Sequence, residues 1–279
     1  VSEELASLDG ELAPAARTAI PVLDEGFLRG DGAFEVVRVY RGQPFALEDH
    51  LDRMERSAAS LRLAPPFPRA ELQRDCGALL AARDERGAFD GCLRLVLTRG
   101  GHRLLLTEPG PDLAERPRLG FVTYAPTRVL DGIKSLSYAA NVLCTRIARE
   151  RGFDEALLVT PHGRVLEAPT SSLFWVDARG ALCTPPLEDH ILASITRARL
   201  LELIDVQVRS VATDELLEAR EAFLASSARE VQAVGAIEDR ELGDVGAVTR
   251  AAAAAFAAHV DEETRGSRPR TPGAPGRAG

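Results

Sequence analysis

Residues 131–141 read DGIKSLSYAAN, and Lys134 within them is the only lysine of a 279-residue chain in which Lys and Arg together number 34. Arginine serves wherever a cation, an ion-pair partner or a solubilising group is wanted, but its guanidinium stays protonated and is a poor nucleophile. A primary amine can lose its proton when burial or nearby cations lower its pKa, and it then attacks a carbonyl or acts as a base. Alone, Lys134 reads as readily as a surface lysine left in a chain rich in Ala, Arg and Gly as it does as a reactive amine. Its surroundings decide.

Working outward, the whole chain sets bounds. At 45% apolar it can build one large core or two smaller ones. A formal net charge of −8 weighs against nucleic acid as a partner, because phosphate backbones reward basic surfaces. There is no apolar run of membrane-spanning length, and the opening "VSEELASLDG" is acidic where a secretory leader would be basic and then apolar, so a soluble, cytoplasmic protein is expected. Cys76, Cys92, Cys144 and Cys183 are widely spaced, without a CxxC pair or a histidine cluster; they are expected to be reduced and buried, with no metal site.

Turn and period signals order the elements. "GAFEVVRVYRGQPFAL" (32–47) reads as a hairpin turning at "RGQP", followed by a helix on which Leu51, Met54, Ala58 and Leu61 recur at helical spacing. A second helix at about 69–83 and strands around "CLRLVLTRG" and "PRLGFVTYAP" complete a mixed first half. After the connector "APTRVLDG" come the helix "YAANVLCTRIARERG", ended by Gly152, and two hairpins turning at Pro161-His162-Gly163 and near Ala178-Arg179-Gly180. Then follow the helix "ITRARLLELI", the strand "QVRSVA", the short helix "TDELLEA" with Thr213 as N-cap, the strand "EAFLASS" and an Ala-rich terminal helix. This mixture predicts α+β architecture: an N-terminal domain over 1–123, a connector over 124–129, a C-terminal domain over 130–260 and a disordered tail over 261–279.

Familiar catalytic signatures are missing: "GDGAFE" lacks the third glycine of a dinucleotide turn, and there is no P-loop, GxSxG elbow or SxxK. A lysine that forms a Schiff base works with an electron-sink cofactor, and pyridoxal 5′-phosphate needs three more things. These are a carboxylate at the pyridine nitrogen, donors for the phosphate and apolar packing on the ring. Glu167, where a strand gives way to small residues, is the carboxylate candidate. Ser194, Ile195 and Thr196 open a helix whose free N–H groups favour an anion, Ser226 and Ser227 add hydroxyls after a strand, and Arg53 flanks an apolar helix face. Each of these also has an ordinary reading as a cap, a turn residue or a surface charge.

Taken in order, "DEGFLRGDGAFEVVRVYRG", "LEDHLDRM", "IKSLSYAAN", "DEALLVTPHGRVLEAPTSSLFW", "TPPLEDHILASITR" and "LASSAREVQAV" resemble the class IV, fold-type IV pyridoxal-phosphate enzymes over roughly residues 20–255. That family includes D-amino acid and branched-chain aminotransferases and aminodeoxychorismate lyase. The resemblance implies a two-domain fold-type IV α+β architecture, a smaller N-terminal α/β domain with a larger C-terminal mixed α+β domain, and a homodimer. It implies pyridoxal 5′-phosphate as cofactor, with Lys134 as Schiff-base lysine, Glu167 at the pyridine nitrogen, and Arg53, Ile195, Thr196 and Ser227 on the phosphate, beside the further hydroxyl of Ser226. Leu192 matches the residue packed on the ring, and Tyr138 the tyrosine that branched-chain relatives place on the phenolic oxygen. For the substrate carboxylate it offers Arg29, Arg99, His102 and Arg103, with Phe34 where D-amino acid relatives carry tyrosine. "FEVVRVYRG" is nearer the D-amino acid pattern than the branched-chain "FEG". The expected activity is therefore ping-pong transamination between a D-amino acid, or an (R)-amine, and a 2-oxo acid. Aminodeoxychorismate lyase comes second, a branched-chain aminotransferase third, and a non-catalytic binding module is the alternative of a different class.

Overall fold

Alternation along "GAFEVVRVY" separates a core face from a cavity face. In a computed structural model, which describes residues 4–64 and 66–266, Gly32–Tyr40 is a strand whose successive side chains point to opposite sides. Ala33, Val37 and Val39 enter a core with Leu51, Met54 and Leu79, while Phe34 and Val36 line a cavity. The expected hairpin forms, with Tyr40 paired to Gln43 across Arg41 and Gly42, both at positive φ, as a two-residue hairpin turn requires. Gly91–Thr98, Arg103–Pro109, Leu5–Leu8 and Glu11–Pro14 extend this into a six-stranded antiparallel sheet. The two N-terminal strands carry no strong signal, because "LASLDGELAP" is short and lacks β-branched residues.

Helix Leu47–Ser60 buries His50, Leu51, Arg53, Met54, Ser57 and Ala58 along one stripe, the three- and four-residue spacing of an amphipathic helix. Arg69–Asp84 packs beside it as the second expected helix.

The second half carries two further sheets among the described residues. In one, Ser172–Val176 lies between Leu182–Thr184 and Glu221–Ser226. In the other, Arg118–Thr123 runs parallel to Glu155–Val159. This changes the reading of "PRLGFVTYAP": the strand forms, but in a second-half sheet rather than with the first half. Two parallel strands need a crossover, and helix Ala139–Glu150 supplies it. Lys134 lies in that crossover, ahead of the helix.

Three local expectations are corrected. "QVRSVA" is two strands: Gln207–Val208 joins Leu182–Thr184 and Val211–Ala212 joins Arg164–Val165, since the chain passes between sheets at Arg209 and Ser210. Thr213 is the first helical residue and Ala212 holds the cap position without a side-chain bond. Helix Ala247–Gly266 runs through 261–266 with Thr264 buried, so the segment read as tail is helical there; 267–279 lie outside the described residues. The halves meet where Phe45 packs edge-on to Phe256, centroids 5.7 Å apart, in a core shared with Phe174 and Phe223.

The Lys134 segment is fastened to the first strand. Phe34 N–H donates to the Lys134 carbonyl at 3.1 Å and Leu136 N–H to the Gly32 carbonyl at 2.8 Å, around a bridge between Ala33 and Ser135. Gly32 permits this approach: a Cβ there would stand 2.5 Å from the Leu97 carbonyl oxygen and 2.6 Å from Leu136.

Candidate active site

The segment held this way delivers Lys134 into a cavity of about 580 Å³ whose lining includes Phe34, Val36, Arg53, Arg94, Tyr138 and Glu167, a size usual for small-molecule sites. Lys134 Nζ stands 4.3 Å from the Phe34 ring centroid and 5.8 Å from that of Tyr138. Burial, and next the Arg53 charge, outweigh the attraction of Glu35 and Glu167 and lower its pKa to about 8. Near neutral pH an appreciable fraction is then free amine, which an ordinary lysine does not offer.

Glu167 follows the strand Arg164–Val165, its main-chain carbonyl accepting from Leu158 N–H at 2.9 Å. Its Oε1 accepts from Leu192 N–H at 2.9 Å. Burial still pushes the carboxyl up to about 7, against the pull of that N–H and of Lys134, Arg197 and Arg53. A carboxyl so placed lacks a close cation, and a protonated ring nitrogen would supply one. Tyr138 donates its hydroxyl to the Pro169 carbonyl, and burial raises its pKa; its ring meets Phe34 edge-on at 5.4 Å.

Arg53 comes from the buried stripe of helix Leu47–Ser60. Its Nε and Nη2 donate to the two Glu35 oxygens at 2.7 and 2.6 Å, and Nη1 donates to the Ala193 carbonyl at 3.0 Å. His50 Nδ1 lies 2.7 Å from Glu35 Oε2. Burial alone would raise the Glu35 carboxyl, but Arg53 and His50 hold it down at about 2. Glu35→Gln leaves Arg53 buried without its counter-charge, and urea denaturation followed by Trp175 fluorescence is expected to show a loss of about 3 kcal/mol.

Most of the expected cofactor residues converge. Arg53, Lys134, Tyr138, Glu167, Leu192, Ser226 and Ser227 line the cavity with Phe34. Ser194 caps helix Ile195–Leu203, accepting from Arg197 N–H at 3.3 Å. Ile195 and Thr196 open that helix, and the Thr196 hydroxyl is buried without a partner, a donor in want of an acceptor. Neither Ile195 nor Thr196 lines the cavity, which reaches this helix at Ser194; Arg53 and the free N–H groups of the helix start are the donors there that suit a phosphate group.

The expected carboxylate residues do not join them. Arg99 is spent on Asp31, at 2.9 and 3.2 Å, and on the Leu61 and Arg62 carbonyls. His102 pairs with Asp9 at 2.8 Å and Arg103 with Asp75 at 3.3 Å. Arg29 is exposed beside Glu25 at 3.1 Å. None of the four lines the cavity; the guanidinium that does so from the first sheet is Arg94, held by Glu108 at 2.7 and 2.9 Å and 5.7 Å from the Phe34 centroid.

Glu35, His50 and Arg94 carry no emphasis in the sequence reading, though a signal existed. Glu35 shares strand parity with Ala33, Val37 and Val39, so it faces the core, and a buried carboxylate must have partners. His50 and Arg53, three apart on one helix face, are those partners.

The amino-transferase class IV family model matches residues 32–237. The chain belongs to the class IV aminotransferases. It is 32% identical over 256 residues to the D-alanine aminotransferase of Bacillus licheniformis, covering 84% of this chain and 89% of that protein. A putative branched-chain-amino-acid aminotransferase of Methanocaldococcus jannaschii is also 32% identical, over 84% of this chain and 88% of the relative. The bifunctional aminodeoxychorismate lyase / D-amino acid transaminase of Mycobacterium tuberculosis is 28% identical over 85% of this chain and 92% of its own length. A fold IV-transaminase from Curtobacterium pusillum superposes with a TM-score of 0.80 at 31% identity, over 90% of this chain and 98% of that one. As a class IV aminotransferase the protein has the fold-type IV α+β architecture and depends on pyridoxal 5′-phosphate, which the lysine, carboxylate and phosphate-type donors of this cavity suit.

Proposed function

We propose that this class IV aminotransferase moves an amino group between a D-amino acid, or an (R)-amine, and a 2-oxo acid such as 2-oxoglutarate or pyruvate. The observation that carries this reading is Val36: it lines the cavity at the position where the branched-chain "FEG" pattern has glycine, so its side chain takes up space that pattern leaves open. The cofactor, when bound, supplies an aldehyde to carry the amino group and a ring that draws electrons from the substrate.

The chain's residues do the rest. Lys134 would hold the cofactor through its side-chain nitrogen, and its easily deprotonated amine would take the proton from substrate Cα. Glu167 meets the ring nitrogen with a carboxylate. Arg53, Ser226, Ser227 and the helix start at Ile195 and Thr196 hold the phosphate, while Tyr138 and Leu192 pack at the ring. Arg94, already in the cavity, binds the substrate carboxylate. Purified enzyme given D-alanine and 2-oxoglutarate is expected to form pyruvate and glutamate with parallel double-reciprocal plots. Pyruvate with aminobenzoate from aminodeoxychorismate, and no amino transfer, would replace this reading with the lyase, the activity in the name of the Mycobacterium tuberculosis relative.

We further propose a cytoplasmic homodimer. Four buried free thiols suit a reducing compartment, and among the described residues no helix is long and apolar enough to cross a membrane. Val22, Leu23, Phe27 and Leu28 are exposed in the segment that runs up to Arg29, and Val142 and Leu143 are exposed on the crossover helix; large exposed apolar side chains of this kind suit an interface. In such a dimer Arg29 would stand at the subunit boundary. Sedimentation is expected to give a dimer for the wild type and a monomer for the Leu23→Glu/Phe27→Glu double variant.

A further inference from the structure

Among the buried titratable groups that the mechanism above leaves unused, His50 lies beside the expected phosphate donors. His50 is fully buried, enclosed by Glu35 from the first strand, Arg53 from its own helix, Lys134 from the crossover and Ser227 from the turn after Glu221–Ser226. Its two ring nitrogens face opposite demands. Nδ1 lies 2.7 Å from Glu35 Oε2, and an ionised carboxylate only accepts, so Nδ1 carries hydrogen. Nε2 lies 3.3 Å from the Ser227 hydroxyl oxygen. In a neutral ring Nε2 is then an acceptor, and Ser227 must donate to it.

That arrangement is wrong for a phosphate. A phosphate dianion only accepts, and a serine whose hydrogen is turned toward His50 shows the anion a lone pair. The charge is also short, because Arg53 is already matched by Glu35 through two hydrogen bonds, leaving that pair net neutral. A second hydrogen, on Nε2, corrects both faults: His50 then donates to Ser227, Ser227 turns its own hydrogen to the anion, and a positive charge arrives behind the cradle.

We propose that binding of the cofactor phosphate draws a proton from solvent onto His50 Nε2 and reverses the hydrogen bond between His50 and Ser227, making His50 the positioning residue of the phosphate site. This rests on the reading of Arg53, Ser227 and Thr196 as that site. Without an anion, burial lowers the pKa of His50, which keeps the ring neutral until the ligand comes. Only hydrogen bonds and one solvent proton change hands.

The test is nitrogen NMR on chain labelled with 15N-histidine at pH 8, with His50 identified by its loss in His50→Gln and, should that variant not fold, by its shift in Ser227→Ala. In the cofactor-free chain His50 is expected to show one protonated and one bare nitrogen. In the holoenzyme, and in cofactor-free chain saturated with inorganic sulfate, both nitrogens are expected to be protonated. A ring that stays neutral in the holoenzyme overturns the proposal and leaves the cradle standing. The same change produced by pyridoxal, which has no phosphate, overturns it too. If Arg53→Ala binds pyridoxal phosphate as tightly as wild type does, the cradle lies elsewhere and both readings fall.

Discussion

Lys134→Arg is expected to lose transamination by about ten-thousand-fold, the upper end of what a positioned proton-transfer group contributes, while the folded protein and its phosphate site persist. The guanidinium keeps the positive charge and much of the length, so a merely electrostatic role would survive the exchange. A role that needs a neutral amine would not, since arginine does not deprotonate in the working range. Rapid mixing of cofactor-loaded enzyme with D-alanine measures the loss, and borohydride reduction with peptide mapping is expected to place the cofactor adduct on residue 134 in the wild type alone. The pH course follows from the pKa of about 8. Below it the ammonium form dominates and cannot attack the aldehyde; attachment therefore speeds up as pH rises through about 8 and then levels, whereas an ordinary lysine would keep gaining to about 10.4. An adduct on any other residue, or undiminished turnover by the arginine variant, sinks this assignment.

Glu167→Gln should lower the rate of the same half-reaction by about a hundred- to a thousand-fold, the usual scale for deleting one preorganised electrostatic contact, and change cofactor affinity far less. Glutamine has the same shape and can still accept from Leu192 N–H, but it carries no charge to favour a protonated ring nitrogen. The pKa of about 7 for the glutamate belongs to a buried carboxyl without a cation beside it; a cation at that spot stabilises the ionised form and moves the value down. A Glu167→Gln enzyme with unchanged kcat and raised KM would show that this side chain only helps binding.

Several candidate residues could be picked out because their signals are local. A single amine in an arginine-rich chain, a carboxylate at a strand end and a helix opening on Ser194 and Thr196 each show within a few residues, and each kept an ordinary reading until the family resemblance joined them. The strand "GAFEVVRVY" announced its hairpin through period and turn. What escaped depended on partners far along the chain. Arg99 and Arg94 sit on the same strand or just past it and look alike as letters; each is paired with a carboxylate, Arg99 with Asp31 and Arg94 with Glu108, and only the folded chain shows that Arg94 lines the cavity and Arg99 does not. "QVRSVA" looked like one strand because its pattern is continuous, yet the two ends hydrogen-bond to different sheets.

Chain order and residue type were thus enough to point to the family, its fold and its cofactor, and to single out Lys134 as the candidate amine, because the motifs that carry the resemblance are short and contiguous in the chain. Only the folded arrangement assigned Arg118–Thr123 to the second half, spent Arg99, His102 and Arg103 on internal partners and brought Glu35, His50 and Arg53 together behind Ser227. Those outcomes depend on distances between residues far apart in the chain, and such distances exist only once the sheets have paired and the crossover has closed.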